Sequence, residues 1–124
     1  VYTIDIDQSR DLSIVLSEED RERYLVRLEG DAWEVAKRGD IPETTDFFFH
    51  DSVHRYDFQK REFEFFFPRL SSGGFLISHD IGKNAAFSDF CSSLHVHDEK
   101  GYSTDESQCS AWGGFGSIGF IRKR

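Results

Sequence analysis

The chain has 124 residues, 13 of them phenylalanine, and a formal net charge of -8. That length suits one domain with a modest core, and the acidic balance excludes binding through a phosphate backbone, which needs Lys and Arg gathered on one face. No apolar run approaches the roughly 18 residues of a membrane span, and two cysteines without a signal peptide point to reduced thiols and a cytoplasmic setting.

The chain opens on Val1-Tyr2-Thr3-Ile4-Asp5-Ile6-Asp7, a β-branched and aromatic run with acids at its end, as a buried strand running toward a ligand edge would have. An acid in that place can grip both hydroxyls of a ribose, or it can simply solvate a strand end. The sequence begins inside this strand pattern and contains no methionine, so a preceding segment is expected. Residues 8–16 carry little signal. Ser17-Glu18-Glu19-Asp20 has the form of a helix start, an N-cap serine with an acid three residues on. Residues 24–29 alternate as a strand would, with a helix continuing through Leu28 as the competing reading. Asp31 then suits the N-cap of a helix from Ala32 to about Lys37, stopped by Gly39.

After a polar connector at 40–45 comes the most informative stretch. Phe47, Phe48 and Phe49 form a short unbroken apolar run, the pattern of a strand covered by helices on both faces, and His50-Asp51 follows at once. A helix is expected over 56–67, laying Phe63, Phe66, Phe67 and Leu70 on the sheet. Pro68 and a turn at Ser71-Ser72-Gly73-Gly74 end it. A second strand, 75–78, delivers His79-Asp80. Two parallel strands joined by a right-handed helical crossover carry their C-terminal ends to one edge, where open α/β sheets bind ligands, so Asp51 and Asp80 should be neighbours.

Beyond a loop at 81–84, Phe87, Phe90, Cys91 and Leu94 mark one helix face. His95-Val96-His97 reads as an exposed edge strand rather than a metal pair, and 98–110 as an irregular flap. Trp112 to Ile121 reads as a glycine-rich turn and a last strand. Its glycines fail as a phosphate loop because no helix and no Lys-Ser/Thr follow.

HDSVHRY at 50–56, the aromatic helix with internal acids, and LSSGGFLISHD at 70–80 resemble, in order and spacing, the fourth and fifth strands of class I S-adenosylmethionine-dependent methyltransferases. The resemblance is to the branch with H-D-S-x-H after the fourth strand and G-G-x-x-x-x-H-D at the fifth. It implies an α/β fold, a Rossmann-like, mostly parallel sheet with an antiparallel last strand, here lacking the first strand and its glycine loop, which would lie upstream. It also implies that residues 1–124 are a partial methyltransferase-like domain, that Asp5 holds the ribose of S-adenosylmethionine, and that Asp31 and the Ala32 N–H meet the adenine. For the 124 residues alone, weak or absent donor binding is expected.

Methyl transfer from a sulfonium requires alignment and, for an oxygen or nitrogen acceptor, management of a proton. The resemblance places Asp51 and His54 in the catalytic role. In metal-dependent relatives, carboxylates after the fourth and fifth strands hold a divalent cation, which here would fall to Asp51 and to His79 or Asp80. Magnesium would want oxygen ligands, whereas imidazoles suit zinc, iron or nickel. A small-molecule acceptor, and neither nucleic acid nor membrane, is the expected partner. Two other functions fit the same residues. One is a metal-dependent phosphohydrolase of the all-helical histidine-aspartate class, and the other a non-catalytic, degenerate methyltransferase-like binding module.

Overall fold

The computed structural model describes residues 1–7, 17–94, 108–112 and 117–124. The expectations for His95-Val96-His97, for most of the flap and for the glycine run 113–116 lie outside these residues. The chain divides into two compact units, Val1–Glu43 and Thr44–Arg124.

In the first unit, strand β1 (Tyr2–Asp5) pairs in parallel with β2 (Val26–Glu29), so Asp5 lies opposite Glu29 at one end of the pair. Between them runs helix α1 (Glu18–Tyr24). Its N-cap Ser17 accepts the Asp20 N–H at 3.1 Å while donating to the Asp20 carboxylate at 2.7 Å. The helix ends at Tyr24, so the continuous-helix alternative through Leu28 does not hold. Helix α2 (Ala32–Lys37) starts on Asp31, whose Oδ1 accepts from the N–H groups of Trp33 and Glu34, the capping geometry of a short acid.

The second unit is a four-stranded sheet in the order β3-β4-β6-β5. Strands β3 (Thr45–His50) and β4 (Leu70–His79) are parallel. Strand β6 (Ile118–Arg122) is antiparallel to both β4 and β5 (Gln108–Trp112). Helix α3 (Tyr56–Phe66) makes the β3-to-β4 crossover and runs into a 3-10 turn at Phe67–Arg69, where Pro68 can occupy a first-turn position without losing a bond. Helix α4 (Ala86–Leu94) packs beside α3.

Three expectations are corrected here. Ser71-Ser72-Gly73-Gly74 does not precede the strand; it lies inside β4 as a bulge, between the Thr45–Leu70 and Phe47–Phe75 pairings. Gly73 takes φ +81°, and a Cβ on Gly74 would come within 2.8 Å of the Asp46 carbonyl, so the turn residues serve the bulge instead. The flap is also shorter than expected, because Gln108, Cys109 and Ser110 belong to β5.

The third correction concerns cover. Phe48, Leu76 and Ile121 alternate onto one face, where Phe63, Phe67, Phe87 and Phe90 bury them. Phe48 stacks on Phe66 with ring centroids 4.0 Å apart. Phe47, Phe49, Phe75, Ile118 and Phe120 point the other way and stay exposed. The triple phenylalanine is therefore a strand with one covered face, although an unbroken apolar run suggested two. Among the described residues no helix is long and apolar enough to cross a membrane.

Candidate active site

Because β3 and β4 run in parallel with His50 opposite Ser78, the chain leaves both strands at the same edge. Residues 51–55 form an irregular loop there, and Asp80 follows β4 in the left-handed region at φ 55°. A non-glycine residue held there costs about 1 kcal/mol or more, and aspartate is among the side chains that tolerate it best.

Asp51, His54, His79 and Asp80 come together as the sequence implied. His79 Nδ1 lies 3.3 Å from Asp51 Oδ1 and 3.7 Å from Asp80 Oδ1. His54 Nε2 lies 3.8 Å from Asp51 Oδ1 and 3.7 Å from Asp80 Oδ2, too far for a hydrogen bond to either. This nitrogen is buried and has no hydrogen-bond partner among the described residues. A buried polar atom left in that state is costly. Lys83 Nζ grips Asp80 Oδ2 at 2.7 Å, and this bond, ahead of the nearby imidazoles, holds the Asp80 carboxyl below its ordinary pKa. Asp80 is thus kept anionic and already engaged, whereas Asp51 is open to solvent.

One donor atom each from Asp51, His54 and His79 lies within 4.8 Å of the other two. Ligands around a zinc-sized ion at roughly 2.1 Å stand nearer 3.4 Å apart, so modest side-chain closure would bring the three onto an ion. Two imidazoles and one carboxylate fit zinc, iron or nickel better than magnesium.

Behind this edge lies a polar layer that the sequence reading did not anticipate. His50 is 1% exposed, with Nε2 3.2 Å from Glu62 Oε2 and Nδ1 3.3 Å from Ser78 Oγ. Gln59, fully buried, donates to Ser78 Oγ at 3.0 Å and accepts from Asn84 Nδ2 at 2.9 Å. Ser78 accepts from Gln59 and has both His50 Nδ1 and the His79 carbonyl at 3.3 Å for its one hydrogen, while the Glu62 carboxylate oxygen opposite Nε2 accepts the His50 ring proton there. Burial, reinforced by the nearby His54, pushes the His50 pKa down to about 4, so the ring is neutral at pH 7. His50 is thus a core residue and not a member of the open cluster. The signal for this layer was available: Gln59 and Glu62 flank Phe63 on the stripe that α3 buries, and polar groups there require partners.

In the first unit, Asp5 ends β1, half-buried, with Oδ1 accepting the Asp7 N–H at 3.0 Å. Asp31 and Ala32 follow β2 at the same end of the strand pair, and Asp31 acts as the helix cap. The strand character of β3 and β4 removes the all-helical phosphohydrolase as a fold.

In the second unit's sheet β6 alone runs against the other three strands, and the carboxylates and imidazoles lie beyond the C-terminal ends of β3 and β4, the edge at which open α/β sheets place their ligands. A family model described as a methyltransferase domain matches residues 1–81, and the chain belongs to that family. Comparison with curated proteins gives no match.

Among solved structures, the chain is similar to a Streptococcus mutans protein described as a methyltransferase, in complex with SAH, at 12% identity and TM-score 0.66. The match covers 99% of this chain and 75% of that one. It is also similar to the O-methyltransferase TomG from Streptomyces achromogenes, in complex with SAM, at 14% identity and TM-score 0.62, covering 98% and 60% of the two chains. A third is the MycE methyltransferase of the mycinamycin pathway, in complex with Mg, SAH and mycinamycin VI, at 16% identity and TM-score 0.61, covering 98% of this chain and 36% of that one. The fold is that of these proteins.

Proposed function

We propose that the protein transfers a methyl group from S-adenosylmethionine to an oxygen of a small-molecule acceptor. The observation that carries this reading is the convergence of Asp51, His54, His79 and Asp80 on one sheet edge, where His54 Nε2 has no hydrogen-bond partner among the described residues. The family match supports the reaction type, and the SAM, SAH and mycinamycin VI complexes of similar structures support the donor and a small acceptor. A net charge of -8 favours such an acceptor over nucleic acid. Two cysteines are too few for a disulfide scaffold, which suits a cytoplasmic setting.

The donor supplies an electrophilic methyl carbon: the acceptor oxygen forms the new C–O bond as the C–S bond breaks, and the electron pair leaves on sulfur. His54 Nε2 takes the acceptor's proton, and the Asp51 and Asp80 carboxylates on either side of it favour the imidazolium that results. Lys83 keeps Asp80 ionised for that purpose. Asp5, at the end of β1, is assigned the ribose hydroxyls, and Asp31 with Ala32 the adenine edge.

A divalent cation, when bound, would lower the pKa of the acceptor hydroxyl. Asp51 and His79 would hold it, with His54 or Asp80 as the third ligand. The imidazole content favours a borderline ion. With His54 as that third ligand, its Nε2 would no longer be available as the base.

Calorimetry with S-adenosylmethionine on the complete gene product, with and without zinc or magnesium, tests the reading. Binding is expected, and no heat under any of these conditions overturns it. Binding without turnover, unchanged in His54→Ala, would instead indicate a non-catalytic module. As the general base, His54 should be worth about 100-fold or more in methyl transfer.

A further inference from the structure

The loop that presents His54 is irregular, and residues 51–55 belong to no helix or strand. What holds it is a side chain from across the sheet edge. Asn84 Nδ2 donates to the His54 backbone carbonyl at 3.0 Å and to Gln59 Oε1 at 2.9 Å, while Asn84 Oδ1 accepts the Ala86 N–H at 2.7 Å, at the start of α4. The orientation of the amide is dictated from both sides: a backbone N–H can only donate and a carbonyl can only accept, so no flipped Asn84 satisfies its partners. Gln59 continues the chain through Ser78 to His50. The His50 ring in turn meets the His54 ring edge-on, with centroids 5.8 Å apart and planes at 87°.

One run of hydrogen bonds thus grips the His54 carbonyl through Asn84 and ends on His50, whose ring packs edge-on against the His54 imidazole. Gln59 and Ser78 are fully buried between these points, so the run is shielded from competing water. The geometry points to Asn84 as a positioning residue for His54, with Gln59 as the link that couples it to His50. Asn84 bonds the His54 backbone carbonyl, and it acts by fixing the loop from which His54 reaches Asp51 and Asp80. The role rests on His54 being the working residue proposed above, whether as base or as ligand, but its physical content concerns only where the ring is held.

The test is a histidine-ring carbon–proton correlation spectrum of the full chain, with His54 assigned by His54→Gln. Asn84→Ser keeps an oxygen for the Ala86 N–H, adds no charge and is too short to reach the His54 carbonyl. The expected result is displaced His54 cross-peaks, as the loop leaves the single position that Asn84 holds. Ile121→Val, a packing loss in the core that removes none of the hydrogen bonds of Asn84, should leave the His54 signals in place. Asn84→Asp, isosteric but without the two donors, serves if the serine variant does not fold. Unmoved His54 signals in a folded Asn84 variant, or equal movement in Ile121→Val, would overturn the assignment. The spectrum uses neither donor nor acceptor, so its outcome is separate from that of methyl transfer.

Discussion

Acidification should destabilise this protein through His50. The ring is 1% exposed and its pKa is lowered from 6.5 to about 4 by burial, with the charge of His54 adding to the effect. An unfolded chain takes up that proton near pH 6.5, while the folded chain resists it until about pH 4. The stabilising contribution is therefore complete above pH 6.5, shrinks as pH falls and is gone below about 4. A shift of about 2.5 units at 1.36 kcal/mol each corresponds to roughly 3 kcal/mol, a large share of the ~5–15 kcal/mol that holds a typical domain. Urea unfolding at half-unit steps from pH 7 to 4 would measure it in the parent and in His50→Gln, whose amide can donate and accept but does not titrate. Carboxylates titrate in both proteins, so the difference between the two curves isolates the imidazole. The parent should lose about 3 kcal/mol more than the variant across this range. Parallel curves would show that His50 is not held neutral by burial and would undo the tautomer assigned to the Glu62–His50–Ser78 layer.

Two other perturbations probe the fold and the cluster. A Cβ on Gly119 would fall 2.4 to 2.7 Å from three ring atoms of Phe87, itself buried, so Gly119→Ala should cost about 1–3 kcal/mol through overpacking, read as a lower thermal midpoint. An unchanged midpoint would mean that the ring moves aside freely. Lys83→Met should raise the Asp80 carboxyl pKa toward 3.8, because the Lys83 hydrogen bond is the main cause of its depression. Carboxyl-carbon NMR titration would follow it, and no change would assign the depression to the imidazoles instead.

The strand–helix–strand unit was legible because its signals are local. Phe47 to Phe49, the spacing of Phe63, Phe66 and Phe67, and a His-Asp pair at each strand end name both the elements and the edge where they meet. Parallel register then brings Asp51 to His79 without further information. Elements whose meaning depends on distant partners were not legible. Ser71 to Gly74 has turn composition, yet it is drawn into β4 because Lys123 pairs with it, accepting the Gly73 N–H at 2.8 Å and donating to the Gly74 carbonyl at 2.9 Å. Strand β5 reads as polar loop until its pairing with β6 is known. Asn84 looks like a loop residue, and nothing nearby in the chain reveals that it bonds to a carbonyl 30 positions earlier. The single-sided cover of the sheet was hidden for a different reason, since three consecutive phenylalanines place apolar rings on both faces whichever one is covered.

The bare face formed by Phe47, Phe49, Phe75, Ile118 and Phe120 has a bearing on how the molecule behaves as a colloid. At neutral pH a surplus of eight negative charges sets copies apart by mutual repulsion. Near the isoelectric point of about 5.0 that repulsion vanishes while the aromatic surface is unaltered, so precipitation should set in over the same acid interval in which the interior is losing its hold. Dilution would suppress the first process and leave the second untouched.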